Sequence, residues 1–311
     1  MRKPSLYLAG MLGLGLAVQG CSAKGGGSAG SQMTFDTPDA AAESLFKALS
    51  RNDTTALLAL GGPNSRELVI PADQVQGAHE RQVIVAAMIE RWWLEGDSTG
   101  NTQTIVVGNE SYPLPIPLVK ENGKWRFDTE AGKQEVLYRR VGENELSAIQ
   151  VSAAFVQAQH EYAAKSHDGK PKGAFAQRVL SDSGKHDGLF WRTTGKDTAQ
   201  SPMGELAAEA SAEGYGKQGG RAPYHGYFFK VLTGQGAGAP GGEKSWVTNG
   251  LMTGGFGLLA WPAEYGSSGV MSFMTGPDGV VREKDLGDST ASAAAAIAGF
   301  DPDSSWKLAT D

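Results

Sequence analysis

A single cysteine, Cys21, stands in 311 residues, and it denies the chain any internal disulfide. Whatever compartment the protein occupies, it must hold itself together by burying apolar surface. The roughly 290 residues from Cys21 onward are enough for two domains of ordinary size. Formal net charge is −6, with no Lys/Arg-rich block to offset it, so no nucleic-acid partner is expected. The 43 glycines concentrate in the last third, where they punctuate short apolar runs as turns punctuate strands.

The surroundings of Cys21 give it a role. Arg2 and Lys3 precede an uncharged, mostly apolar run from Leu6 to Val18. At roughly 13 residues it is too short to span a bilayer as a helix and suits the apolar region of a signal peptide. The run Val18-Gln19-Gly20-Cys21 resembles the lipobox of bacterial lipoproteins, whose cysteine is acylated and becomes the new N-terminus. That resemblance implies a signal peptide over 1–20, lipidation of Cys21, and export to the cell envelope. Ser22, rather than Asp, resembles the pattern that sorts such proteins to the outer membrane, facing the periplasm, in a Gram-negative cell. Residues 21–34 read as a lipidated Gly/Ser-rich tether, about 20 Å in mean span. The lipid is the expected membrane attachment.

Residues 35–140 read as a first α+β domain. Thr37-Pro38 starts a helix, threonine as cap and proline at a position where no N–H is needed. Asp53 caps a second helix carrying Leu57, Leu58 and Leu60, which Gly61-Gly62-Pro63 stops. Ile84, Ala87, Met88 and Trp92 share a stripe that predicts a third helix near 80–95. A strand is expected over 103–108, and another over 116–120 that turns through Asn122-Gly123 into Trp125-Arg126-Phe127. Prolines 113, 115 and 117 remove donors from one side of an extended segment, which predicts pairing on one edge only. Helices followed by a twisted antiparallel sheet ending in Asn-Gly-Lys-Trp resemble the nuclear transport factor 2-like cone. No acid–base pair stands out here, so no catalytic residue follows from that likeness.

Residues 141–311 read as a second α+β domain. Leu146, Ile149, Ala153, Val156, His160 and Ala163 predict one face of a roughly 20-residue helix lying on a sheet, with Phe155 and Tyr162 on the neighbouring seam. Strands are expected over 224–232, 256–261 and 270–275, then a turn at Gly276-Pro277-Asp278-Gly279 and a strand over 280–284, with a small helix over 291–298. A long helix, an irregular loop and a sheet reaching Asp278-Gly279-Val280 resemble the globular part of pilin-like proteins. The hydrophobic N-terminal half of a pilin helix is missing.

Several runs together resemble a bacterial family defined by a domain of unknown function, numbered 2950. They are Arg139 to Glu145, Pro223 to Phe229, Ala260 to Phe273, and Pro115 to Leu118 with Trp125 to Asp128. The likeness covers nearly the whole chain after Cys21 and implies an exported protein, without adding a reaction.

Candidate sites follow from residue chemistry. Gly266-Ser267-Ser268-Gly269 lacks the Gly-x-Ser-x-Gly spacing of a nucleophile elbow and reads as a turn. Gly234-x-Gly236-x-Gly238 has no following Lys-Ser/Thr and reads as a hairpin loop. Asp182 and Asp187, or Asp301 and Asp303, lack the alternating oxygen ligands of a calcium loop, and His160 has no second ligand one turn away. No catalytic, cofactor-binding or metal-binding residue is assigned. Trp246 and Trp261 read as core. The expected interaction surface is Tyr224, His225, Glu264 and Tyr265. The function expected is non-enzymatic binding or envelope assembly with an envelope or secretion-system protein. The alternative is an envelope hydrolase with its site in the cone pocket or near Glu264 and Tyr265.

Overall fold

The computed structural model describes residues 32–193, 199–213 and 222–310, so the expected signal peptide over 1–20 and the expected lipidation site Cys21 lie outside the described residues. Four helices open the chain: α1 (Pro38–Ser50), α2 (Thr54–Gly61), α3 (Arg66–Val69) and α4 (Gln74–Glu90). Side chains cap three of them. Thr37 accepts from the Ala40 amide, Asp53 from Ala56, and Asp73 from both Val75 and Gln76. The last residues of the expected tether are tied down, since the Gln32 amide donates to Leu60 O at 2.8 Å and to Phe127 O at 2.7 Å.

The third helix departs from expectation at both ends. It starts at Gln74, behind the Asp73 cap, and stops at Glu90, because Arg91 is fully extended (φ −172°, ψ 154°). Trp92, expected on the helix stripe, instead opens strand β1 (Trp92–Gly96). Trp92, Trp93 and Leu94 lie opposite Val107, Val106 and Ile105 of β2 (Thr102–Val107). Aromatic residues against β-branched partners favour the strand, and that cross-strand gain outweighs the helical period.

β3 (Tyr112–Pro113) and β4 (Leu118–Glu121) both pair with the far edge of β2, and β5 (Lys124–Phe127) completes the sheet. The proline-rich segment is bonded on both sides, not on one edge as expected: Leu114 N–H donates to Ile105 O at 2.8 Å, and Pro117, which lacks a donor but keeps its carbonyl, accepts from Asp128 N–H at 2.8 Å. Asn122 and Gly123 take φ of 50° and 79°, as the tight turn between β4 and β5 demands.

The next helix, α5 (Thr129–Ala163), has 35 residues rather than about 20 and runs unbroken across the expected junction at 140/141. Its first turns press on the proline-rich segment through Gly132. A Cβ there would stand 2.6 Å from Ile116 Cα and Pro115 O. Its later turns lie on a second antiparallel sheet, so the fold is α+β with two sheets sharing one helix.

Beyond α5 come α6 (Gly204–Glu213), β6 (Tyr227–Leu232), and the small pairs β7 (Gly234–Gln235) with β8 (Lys244–Ser245) and β9 (Val247–Thr248) with β10 (Leu251–Met252). Then follow β11 (Gly257–Pro262), β12 (Met271–Thr275), β13 (Arg282–Asp285), α7 (Thr290–Ala296) and β14 (Lys307–Leu308). The sheet order is β14-β13-β12-β11-β6. Every residue of β11 is buried, as a central strand covered on both faces requires. The turn at 276–279 closes with Gly279 N–H on Gly276 O at 3.0 Å.

The face of α5 that meets this core is not the expected one. Leu146, Ala153 and His160 are exposed, whereas Ala148, Val151, Phe155, Ala158 and Tyr162 are buried, so the neighbouring seam faces inward. Polar residues disguise it: Arg140, Asn144, Ser152 and Gln159 lie on the same buried face and each makes hydrogen bonds there. Trp246 and Trp261 belong to the core, as do Phe300 and Trp306 from the tail.

Candidate functional site

The middle of α5 carries Arg140, Glu143, Asn144 and Ser147, spaced so that they follow one another up one side of the helix. The fully buried Asn144 joins three segments: its Nδ2 donates to Ser268 O at 2.8 Å, and its Oδ1 accepts from Gln76 Nε2 at 2.5 Å. Asp73, while capping α4 with one oxygen, accepts from the Gly226 amide with the other at 3.1 Å. Gly226 takes φ of 71°, and any Cβ on it would run into the Asn144 amide. The turn 224–227 is thus clamped from two sides, and it holds His225 at φ 44°, an uncommon conformation for a residue with a side chain.

His225 is the centre of a polar chain. Its Nδ1 lies 2.8 Å from Ser147 Oγ and its Nε2 lies 2.6 Å from Glu213 Oε2, at the end of α6. A neutral ring that donates to the carboxylate presents a bare Nδ1 to the serine hydroxyl, the polarity required to draw off its proton. The Tyr224 ring stacks on His225 at 4.3 Å. Glu143 lies one turn before Ser147; burial pushes its carboxyl up, while Arg139, His225 and Arg140 pull it back. One element of acyl-transfer chemistry is weak. Ser147 lies inside a helix, whose backbone N–H groups are spent on the helix itself, leaving none beside Oγ to receive an oxyanion.

Beside this chain opens an apolar cavity of about 290 Å³ between α5, α6 and β6. Val151, one turn beyond Ser147, lines it with Phe155, Leu206, Ala210, Phe228 and Leu258, and Tyr224 stands between cavity and histidine. Tyr227 reaches the cavity with its ring only, because its hydroxyl donates to Met271 O at 2.7 Å and burial pushes that phenol up.

The four residues expected to form an interaction surface separate into two pairs. Tyr224 and His225 are stacked at the cavity. Glu264 is exposed and accepts from Ser267 Oγ at 3.0 Å, and Tyr265 donates to Asp285 at 3.2 Å. The two loops touch through their backbones, Ala263 N–H donating to Gly226 O at 2.8 Å. Ser268, the second serine of the Gly-Ser-Ser-Gly run, is buried and ties the Glu264 backbone. Asp182 engages Arg178 and Lys185, and Asp301 accepts from Gly238 N–H at 2.7 Å inside the β7–β8 connection. His160 meets Phe256 edge-on at 5.3 Å.

Ser147, Glu213, Asn144 and Asp73 escaped the sequence reading. A signal existed for Arg140, Glu143 and Asn144, which lie in the run Arg139 to Glu145. Among the described residues no helix is long and apolar enough to cross a membrane. A family model, described as a protein of unknown function (DUF2950), matches residues 32–309. No curated protein and no solved structure matches the chain.

Proposed function

We propose, for a chain that belongs to this family of unknown function, a role as a lipid-anchored extracytoplasmic protein that holds the apolar part of an envelope molecule in the cavity beside Tyr224. The observation that carries the reading is that cavity, about 290 Å³ with an almost wholly apolar lining. A space of this size lined by Phe155, Phe228 and Leu258 gains by exchanging water for an apolar guest. The anchor is supported by the lipobox-like Val18-Gln19-Gly20-Cys21, which would keep the cavity within a few tens of ångströms of a membrane surface (about 20 Å of tether). The likenesses of 35–140 to a cone and of 141–311 to a pilin head belong to the same proposal.

Titration of the full mature protein with the fluorophore N-phenyl-1-naphthylamine tests it. Saturable enhancement is expected in the wild type, with at least a tenfold loss of affinity in Ala210→Trp, which fills the space. Equal affinity in the two proteins would sink the reading. Cys21→Ser is expected to release the protein from the membrane fraction.

A second reading, an envelope hydrolase, rests on the Ser147–His225–Glu213 chain. It requires ester turnover that Ser147→Ala abolishes; turnover that is absent, or indifferent to Ser147, removes it.

A further inference from the structure

A second cavity, of about 210 Å³, lies in the first half of the molecule and shares none of its lining with the first. Its walls are apolar, with Leu45, Leu57, Ile84 and Leu114 among them, but Glu80, Arg81 and Arg140 also line it. Arg140 is only 6% exposed. Its two terminal nitrogens donate to Glu67 O at 3.1 Å and Leu68 O at 3.2 Å, at the end of α3. Its Nε is buried and has no hydrogen-bond partner among the described residues. Lys133 and Arg139, on the same helix, pair with Glu67 and Glu135, whereas Arg140 pairs with no carboxylate among the described residues.

A guanidinium removed from water without a counter-ion is costly, and an orphaned N–H adds to the cost. Glu143 and Glu80 both feel its charge without a salt bridge to it, and Glu80, which lines the chamber, compensates it poorly. Burial pushes its carboxyl up against the pull of Arg140, Glu143 and Asp73 push the same way, and Arg81 pulls it down. Arg81 is itself engaged, with Nε donating to Asn52 Oδ1 at 2.5 Å. An apolar chamber with an unpaired cation in its lining matches one chemistry, an apolar tail ending in an anion. The volume lies below the roughly 300 Å³ at which drug-sized ligands are received, which fits a slender chain better than a ring system.

We propose that this cavity binds a medium-chain monocarboxylic acid, its carboxylate facing the Arg140 guanidinium where that side chain lines the chamber and its tail lying among Leu45, Leu57, Ile84 and Leu114. The carboxylate supplies the missing charge, which a water molecule cannot. The site is independent of the Tyr224 cavity.

Calorimetric titration of the full mature protein at pH 7 with octanoate and with 1-octanol tests the assignment. Octanoate is expected to bind at least tenfold more tightly than 1-octanol, and Arg140→Gln to erase that preference. Ile84→Trp, which fills the chamber and leaves the arginine in place, is expected to abolish octanoate binding, while Ala210→Trp in the other cavity leaves it unchanged. If Arg140→Gln does not fold, the wild-type comparison and Ile84→Trp still decide. The proposal is overturned if octanoate shows no saturable binding, if both ligands bind equally, or if Ala210→Trp rather than Ile84→Trp removes it.

Discussion

Gln159 lies fully buried on α5 and reaches across to one residue of the loop that follows, Nε2 donating to Ala176 O at 2.8 Å and Oε1 accepting from Ala176 N–H at 2.9 Å. One side chain thereby satisfies two backbone groups that no strand or helix pairs. Replacing it by leucine keeps the volume and orphans both, so Gln159→Leu is expected to destabilise by about 2–4 kcal/mol in urea unfolding. Asn144 plays a similar part between Ser268 and Gln76. These amides hide the inward face of α5 in the sequence: hydrophobic periodicity scores a buried, fully bonded Gln or Asn as solvent-facing.

At the scale of the element, the two glycines inside α5 have opposite meanings. Gly132 faces backbone, Ile116 Cα and Pro115 O at 2.6 Å, which cannot move aside as a side-chain end would. Gly142 is exposed, with nothing within 4 Å of where a Cβ would stand. Gly132→Ala is expected to lower stability by about 1–3 kcal/mol by forcing the helix off the proline-rich segment. Gly142→Ala is expected to raise it by about 0.5–1 kcal/mol through helix propensity alone. Opposite shifts in thermal midpoint would confirm both assignments, and equal shifts would refute the close approach.

For the whole molecule, the carboxyl of Glu80 in the lining of the smaller cavity makes stability depend on pH. Burial raises the Glu80 carboxyl above its ordinary value of 4.5, so folded Glu80 holds its proton more tightly than the unfolded chain does. Its ionisation therefore costs stability progressively as pH rises from about 4.5 through the raised folded value, and costs nothing at lower pH. Glu80→Gln is expected to raise the denaturation midpoint at pH 7 and to leave it unchanged near pH 4; a gain equal at both would show that packing, not charge, is responsible. Some of this molecule was legible from the chain. The Thr37 and Asp53 caps, the Asn122-Gly123 hairpin, the turn at 276–279 and the hairpin it makes of β12 and β13 all rest on residues within a few positions of one another. Such signals act through local dihedrals and hydrogen bonds, which the order of residues dictates directly. The halt of α4 before Trp92, the true inner face of α5, the Ser147–His225–Glu213 chain and the lone Arg140 Nε were decided only when distant segments met. Ser147 and His225 are 78 positions apart, Asn144 and Ser268 are 124, and Asp73 and Gly226 are 153. No periodicity reaches that far, because the free energy that buries a polar group comes from a partner the packing delivers, not from its neighbours along the chain.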